Sequence, residues 1–329
     1  MNVLVVGGAG YIGSHMVKLL GKQGCHITVF DNLSFGHADA VLCGELIVGD
    51  LADKAALGRL FAAQNFDVVM HFASSILVGE SVQNPAKYYR NNFSNTQNLL
   101  DMMIKHGVKK LIFSSTAAIF GEPEYTPIDE KHLKMPINPY GRSKWMVEQM
   151  LEDYEHAYGL KSICLRYFNA CGADPEGELG ERHDPETHLI PLILQVASGK
   201  RDAVTIFGRD YNTQDGTCVR DYIHVIDLSR AHWLAIQHLL RYNDSGRYNL
   251  GNGSGFSVQQ VIDVCRQVTG KNILVIDGER RKGDPAALVA NAMLAERELG
   301  WVAECSDLPS IVKHAWQWEV KMNEHKPAS

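Results

Sequence analysis

The segment Gly7-Gly8-Ala9-Gly10-Tyr11-Ile12-Gly13 follows directly on an apolar run, Val3–Val6, and opens a stretch patterned as a helix, Tyr11–Gln23. A strand that turns through glycines into a helix narrows the choice of folds sharply. Gly7, Gly10 and Gly13 allow a tight turn and a close backbone approach, and the helix that follows presents unpaired N–H groups and a positive dipole end to a phosphate. A GxxGxxG string alone is a weak signal. Here an acid, Asp31, closes the next apolar run 18 residues beyond Gly13, near the spacing of roughly 20 at which a carboxylate meets the adenosine ribose of a dinucleotide. That carboxylate would repel a 2′-phosphate, so the expected cofactor is NAD rather than NADP.

The rest of the first half supports this reading. Ile27–Phe30, Leu46–Val48, Val68–Phe72, Leu111–Ser114 and Ser162–Leu165 are short apolar runs bounded by turn or polar residues, the pattern of strands buried on both faces. Lys54–Gln64, Pro85–His106 and Ser143–Tyr158 between them are patterned as helices. Parallel strands need long crossovers, so strand–helix alternation predicts an α/β fold with a doubly wound, parallel Rossmann-type sheet. After about Asn169 the alternation fails. Gly172–Thr187 is rich in Gly, Pro, Asp and Glu, and a loop of that length is expected to serve function. Pro191–Ser198, Ser257–Thr269 and Leu294–Gly300 predict helices of a smaller, mixed α/β substrate-binding lobe, while Val225–Leu240 suits a further helix of the first domain. The expected division is 1–168 plus about 219–250 for the nucleotide-binding domain, and about 169–218 with 251–329 for the lobe.

Composition removes several classes of function. A net charge of −6 over 329 residues gives no general attraction to nucleic acid or an anionic membrane. No apolar run reaches the ~20 residues of a membrane span, and the glycine loop begins too early to leave room for a signal peptide. The seven cysteines stand apart, without a CxxC pair, as expected of reduced thiols in a cytoplasmic protein. No metal is expected: His183, Asp184 and His188 are the nearest approach to a ligand set, and their spacing alone does not make one.

Asn138-Pro139-Tyr140-Gly141-Arg142-Ser143-Lys144 has the form of a helix start, with Asn138 as cap and Pro139 in the first turn. Tyr140 and Lys144, four apart, then share a face. A phenol titrates near pH ~10. A neighbouring ammonium, the helix N-terminus and a positive nicotinamide ring all favour the phenolate, which could take a sugar hydroxyl proton as hydride leaves the same carbon. Ser114-Ser115-Thr116 ends the fifth strand, where such sheets present groups to ligands. Tyr-x-x-x-Lys by itself most often marks a surface pair; together with the glycine loop and Thr116 it points to hydride transfer.

With these motifs placed, the chain resembles the extended short-chain dehydrogenase/reductase family, and within it the UDP-glucose (UDP-galactose) 4-epimerases. Gly7–Gly13, Asp31-Asn32-Leu33, Gly49-Asp50, His71-Phe72-Ala73, Tyr88–Asn92, Phe113–Thr116, Asn138–Lys144, Leu165–Asn169 and Val219–His224 stand in family order. The resemblance implies a resident NAD that is never consumed, UDP-glucose and UDP-galactose as substrates, and a 4-keto sugar between them. It implies Tyr140 as the base, Lys144 on the nicotinamide ribose and Thr116 on the 4-oxygen. It places Tyr11, Ile12, Asp31, Asn32, Asp50, Leu51, Phe72, Ala73, Asn91 and Phe168 at the cofactor. Asn169, His188, Leu189, Phe207, Arg220, Arg281, Asp284 and Leu288 fall at the sugar nucleotide. The two arginines agree with the chemistry, since a diphosphate needs fixed cationic donors. A homodimer through the helices that contain Tyr89–Met103 and Val147–Tyr154 is also implied.

The sequence departs from the family in informative places. Ile76 stands where many members have lysine, His188 where asparagine is common, and Leu288 where some have a bulky tyrosine that resembles a gate against N-acetyl sugars. The dehydratases and decarboxylases of this fold resemble members with an acid just after the threonine; here Ala117 and Ala118 follow and can move no proton. The alternatives are another NAD-dependent nucleotide-sugar epimerase or dehydratase and, more remotely, a non-catalytic NAD-binding protein, which would have no need of the Tyr140/Lys144 pair.

Overall fold

The computed structural model describes residues 1–281 and 284–324. Its first half runs β1 (Asn2–Val6), α1 (Tyr11–Lys22), β2 (His26–Asp31), β3 (Glu45–Val48), α2 (Lys54–Ala63), β4 (Val68–His71), α3 (Val78–Gln83), α4 (Pro85–Tyr88), α5 (Asn95–Lys105), β5 (Lys110–Thr116), α6 (Pro139–Tyr158) and β6 (Lys161–Tyr167). It continues β7 (Asn169–Cys171), α7 (Leu189–Ala197), β8 (Val204–Phe207), β9 (Val219–Arg220), β10 (Tyr222–His224), α8 (Val225–Tyr242), β11 (Gly246–Leu250), β12 (Phe256–Ser257), α9 (Val258–Thr269), β13 (Val275–Gly278), β14 (Ala287–Leu288), α10 (Met293–Leu299) and α11 (Leu308–Glu324).

The main sheet has seven strands in the order β11-β6-β5-β4-β1-β2-β3, every neighbouring pair parallel. This is the expected doubly wound sheet, and its strand order reverses between β1 and β4. The crevice at that reversal, outside the carboxyl ends of the strands, is where such sheets take ligands. The central strands carry mostly apolar residues on both sides because helices cover both faces. On one face Met16, Val17 and Leu20 of α1 and Leu228, Ala231, Ala235 and Leu239 of α8 pack on Val3, Val5 and Val29. On the other, Leu57, Leu60 and Phe61 of α2, Leu99 and Met103 of α5 and Val147 and Leu151 of α6 cover Leu4, Val69 and Leu111. A third core gathers Ile193 and Leu194 of α7, Val261 and Ile262 of α9 and Ile311 and Val312 of α11.

The helix expected over Pro85–His106 is not uniform: Tyr89–Ser94 is a π-helical stretch between α4 and α5. Elements outside the sequence expectations include helix α3, the seventh strand of the main sheet, β11, and the last helix α11. The small parallel pair β8/β13 and the three-stranded β12-β9-β14 sheet supply the strand part of the mixed second half.

Candidate active site

Two features of β1–α1 fit a dinucleotide pyrophosphate. A Cβ on Gly13 would lie 2.2 Å from the Gly7 carbonyl oxygen and 2.8 Å from the Gly8 Cα, so only glycine lets α1 sit this close under the turn. The N-cap of α1 is Gly10, without a side-chain cap, and no acid stands in the first turn. The N–H groups of that turn are therefore left for an anion. Asp31, at the end of β2 and 8% exposed, accepts from Ala9 N at 2.9 Å and Leu33 N at 2.8 Å. It holds the glycine loop and its own following turn while keeping lone pairs for a ribose diol. Beside it Asn32 Nδ2 donates to Asp50 Oδ2 at 2.7 Å. Phe72 and Ala73 leave β4 with their N–H groups on the Val6 carbonyl, at 2.8 and 3.2 Å. Ile12 and Phe72 pack against the first core, and Leu51 joins the second. Tyr11 reaches away from the crevice, its hydroxyl donating to the Gly172 carbonyl at 2.7 Å.

Helix α6 starts as its sequence dictates, Asn138 accepting from Gly141 N at 2.8 Å and Pro139 in the first turn. Gly141 brings that turn against the Thr116 corner: a Cβ there would lie 2.4 Å from the Ala118 carbonyl oxygen. Close approach brings the Tyr140 phenol beside the Thr116 hydroxyl. Burial pushes the phenol pKa up, and the neighbouring hydroxyl opposes it. One turn on, Lys144 is 3% exposed; its ammonium donates to the Ser114 carbonyl at 2.8 Å and lies 4.8 Å over the Phe113 ring. Desolvation lowers its pKa from 10.5 to about 7. A further turn brings Glu148, which accepts from Ser115 Oγ at 2.5 Å and pairs with Arg166. Of the three hydroxyls that end β5, Ser115 is thus committed to Glu148 and Ser114 to His232 at 3.2 Å. Thr116 alone meets Tyr140.

Asn91 and Asn92 arrive on the π-helical stretch, a distortion often found at functional sites. Asn91 Nδ2 donates to Ser75 Oγ at 3.2 Å. Buried Asn92 accepts from Ser75 N at 2.8 Å and donates to Ser75 O at 3.0 Å and Ser143 Oγ at 3.1 Å. It ties the loop after β4 to the helix that carries Tyr140. Neither this role nor the Glu148–Arg166 pair was identified from the sequence. The family-ordered segments Tyr88–Asn92 and Leu165–Asn169 were the only signal of either.

The residues implied for the sugar nucleotide gather on the second half. Asn169 Nδ2 donates to the Asp221 carbonyl at 2.8 Å. Arg220 on β9 pairs with Asp284, and Arg281 stacks over Phe207 with its guanidinium carbon 4.0 Å from the ring centre. Leu288 on β14 is in register with Arg220 and packs with Ala117 and Phe168 in a small cluster, which joins this region to the Thr116 corner. Leu189 is the first residue of α7, and His188 caps it with backbone only. The His188 imidazole turns instead toward Glu181 and Glu186, at 2.7 and 3.0 Å.

A family model described as "NAD dependent epimerase/dehydratase family" matches residues 3–251. The chain belongs to the NAD dependent epimerase/dehydratase family. Among relatives of this NAD dependent epimerase/dehydratase, the UDP-glucose 4-epimerase of Halalkalibacterium halodurans is 52% identical, over 97% of this chain and 95% of its own. Among solved structures, the UDP-glucose 4-epimerase from Brucella ovis in complex with NAD is 50% identical, with a TM-score of 0.94 over 96% of this chain and 97% of that one. The UDP-Glc/GlcNAc 4-epimerase of Campylobacter jejuni is 44% identical, with a TM-score of 0.86 over 97% of this chain and 99% of that one.

Proposed function

We propose that this chain is a UDP-glucose 4-epimerase, interconverting UDP-glucose and UDP-galactose. The observation that carries the reading is the buried Tyr140 phenol beside the Thr116 hydroxyl, one helical turn from buried Lys144, with Ala117 and Ala118 following the threonine and supplying no acid for elimination. The names of the relatives point the same way. NAD, bound along the glycine loop, Asp31, Asn32, Asp50, Leu51, Phe72, Ala73, Asn91 and Phe168, supplies a reversible hydride acceptor at the sugar C4.

Tyr140 takes the 4-hydroxyl proton in the oxidising half and returns it in the reducing half. Thr116 holds the 4-oxygen beside the phenol, which shortens the path of the proton. Lys144, when charged, favours the phenolate and would bind the nicotinamide ribose. Arg220 and Arg281 meet the diphosphate, Phe207 and Leu189 flank the base, and Asn169 and His188 contribute polar contacts. Asp284 holds Arg220 extended until the diphosphate binds. The transient 4-keto sugar must turn over inside the site, and the lobe 169–218 with 251–329 forms the wall against which it turns. The nucleotide-binding domain is 1–168 with about 219–250. A homodimer through α5 and α6 completes the proposal, tested by light scattering in solution.

Leu288 leaves more room than a bulky aromatic would beside the Thr116 corner, so UDP-N-acetylhexosamines are included as substrates.

The test is to incubate the purified protein with UDP-galactose, adding no NAD, and to follow UDP-glucose. Turnover is expected, and it should fall by about 10²–10⁴-fold in Tyr140→Phe with bound NAD retained. Accumulation of NADH with net oxidation of the sugar would reassign the protein as a dehydrogenase. Unchanged turnover in the variant would remove Tyr140 from its role.

A further inference from the structure

The loop between β7 and α7 folds four ligand-type side chains onto one point. Glu181 Oε1 lies 3.0 Å from His183 Nδ1 and 2.7 Å from His188 Nδ1. Glu186 reaches the same pair of rings, Oε1 at 3.0 Å from His188 Nδ1 and Oε2 at 3.9 Å from His183 Nδ1. All four ligand atoms lie within 4.8 Å of one another. Both glutamate side chains are only 6% exposed.

Hydrogen bonding alone serves this cluster poorly. An imidazole Nδ1 carries at most one hydrogen, yet that of His188 faces oxygens from two carboxylates, and one Glu181 oxygen is shared between two rings. Two covered carboxylates also carry two negative charges, which one protonated imidazole offsets only in part. A dication at the centre resolves both problems: two carboxylates neutralise it, and two neutral imidazoles complete the shell. Around a tetrahedral zinc, with bonds of about 2.0–2.2 Å, neighbouring ligand atoms stand roughly 3.3–3.5 Å apart. Three of the imidazole–carboxylate contacts, at 2.7, 3.0 and 3.0 Å, are shorter than that spacing and one, through the second Glu186 oxygen, is longer at 3.9 Å, so modest side-chain shifts would seat the ion. Two imidazole nitrogens with two carboxylate oxygens suit zinc, whereas calcium and magnesium prefer an all-oxygen shell.

We propose that Glu181, His183, Glu186 and His188 form a structural Zn²⁺ site. From sequence spacing, His183, Asp184 and His188 do not make a ligand set; in the fold Asp184 is left out and the two glutamates complete it. Four protein ligands fill the tetrahedron and leave no open position, so the ion stabilises rather than reacts. Its place explains what it holds. The His183 ring meets Tyr11 of the glycine loop edge-on, with centroids 6.3 Å apart, and His188 leads directly into α7 and Leu189. The ion pins the 172–188 loop between the NAD side and the sugar-nucleotide side of the crevice.

The test uses the untagged full chain with its bound nucleotide, stripped with a chelator, given one equivalent of zinc chloride, desalted and measured for metal. About one zinc per chain is expected, with an X-ray absorption signature of nitrogen and oxygen neighbours near 2.0 Å and no sulfur. His183→Gln and Glu186→Gln should each retain at least tenfold less zinc, with circular dichroism and bound NAD checked alongside. Zinc at background in the wild type overturns the site. So does a sulfur shell, which would mean binding at the free cysteines, or equal zinc content in folded variants. If a variant fails to fold, the wild-type stoichiometry and absorption signature decide on their own.

Discussion

The Thr116 hydroxyl neighbours the Tyr140 phenol and opposes the burial that keeps that phenol protonated. Thr116 also accepts from Ala118 N at 3.1 Å, so its rotamer is fixed before any substrate arrives. Thr116→Val keeps the shape and removes the hydroxyl. We expect kcat to fall by about 10²-fold or more, with retained NAD unchanged. We also expect the acid limb of the pH–rate profile, where the phenol must lose its proton, to move to higher pH. A rate within twofold of the wild type would show that the hydroxyl takes no part.

Lys144 carries a stability cost in the nucleotide-free protein. Its folded pKa, about 7 against 10.5, means that the unfolded chain binds more protons between those values, so this residue's contribution to stability rises with pH across that window. Lys144→Met removes the dependence. Denaturant melts of the stripped proteins at pH 7 and pH 9 should show the wild type gaining on the variant by roughly 2 kcal/mol. Parallel behaviour at the two pH values would mean that the ammonium is not desolvated in the free protein.

Three buried histidines act in the opposite pH range. Desolvation lowers His15 and His232 to about 4 and His71 to about 3. Folded values below the unfolded ~6.5 give stability that is complete above that pH and lost as pH falls toward 4. By pH 5.5 each histidine should cost about 1 kcal/mol. Thermal melts from pH 7.5 to 5.5 should therefore steepen downward, and His232→Gln should flatten the curve. An identical slope in that variant would discount His232.

The Leu288 position offers a substrate test. UDP-N-acetylgalactosamine should be converted under conditions where UDP-galactose reaches equilibrium. Leu288→Tyr should lower kcat/KM for the N-acetyl sugar by roughly tenfold or more while sparing UDP-galactose. No product from the N-acetyl sugar with the wild-type protein would confine the activity to the plain hexoses.

Six of the seven main strands were legible because each is a self-contained apolar run. β11, Gly246–Leu250, escaped because two of its residues, Arg247 and Asn249, are polar. It becomes a strand through pairing with β6, a tertiary effect with little local signal. In α11, Leu308, Ile311 and Val312 recur at helical spacing and are buried; that periodicity was present and passed over. At the site, Tyr140, Lys144 and the Asn138 cap could be read because they share one helix. Asn92 could not, since its partners Ser75 and Ser143 lie 17 and 51 residues away. The apolar runs on the two helices implied for a dimer are mostly core faces, as their spacing suggests, with Thr96, Leu100, Met103, Val147, Met150 and Leu151 all buried within the chain.

Asp31 has a consequence for redesign. Its carboxylate clamps Ala9 and Leu33 through their N–H groups as well as facing the ribose position. Exchanging it for a neutral residue to admit a 2′-phosphate would remove a repulsion and, in the same step, release the turn on which any dinucleotide must rest. A route to the phosphorylated cofactor would therefore have to begin with a substitute anchor for Ala9. That requirement makes the single-step change a poor route to the phosphorylated coenzyme in this chain.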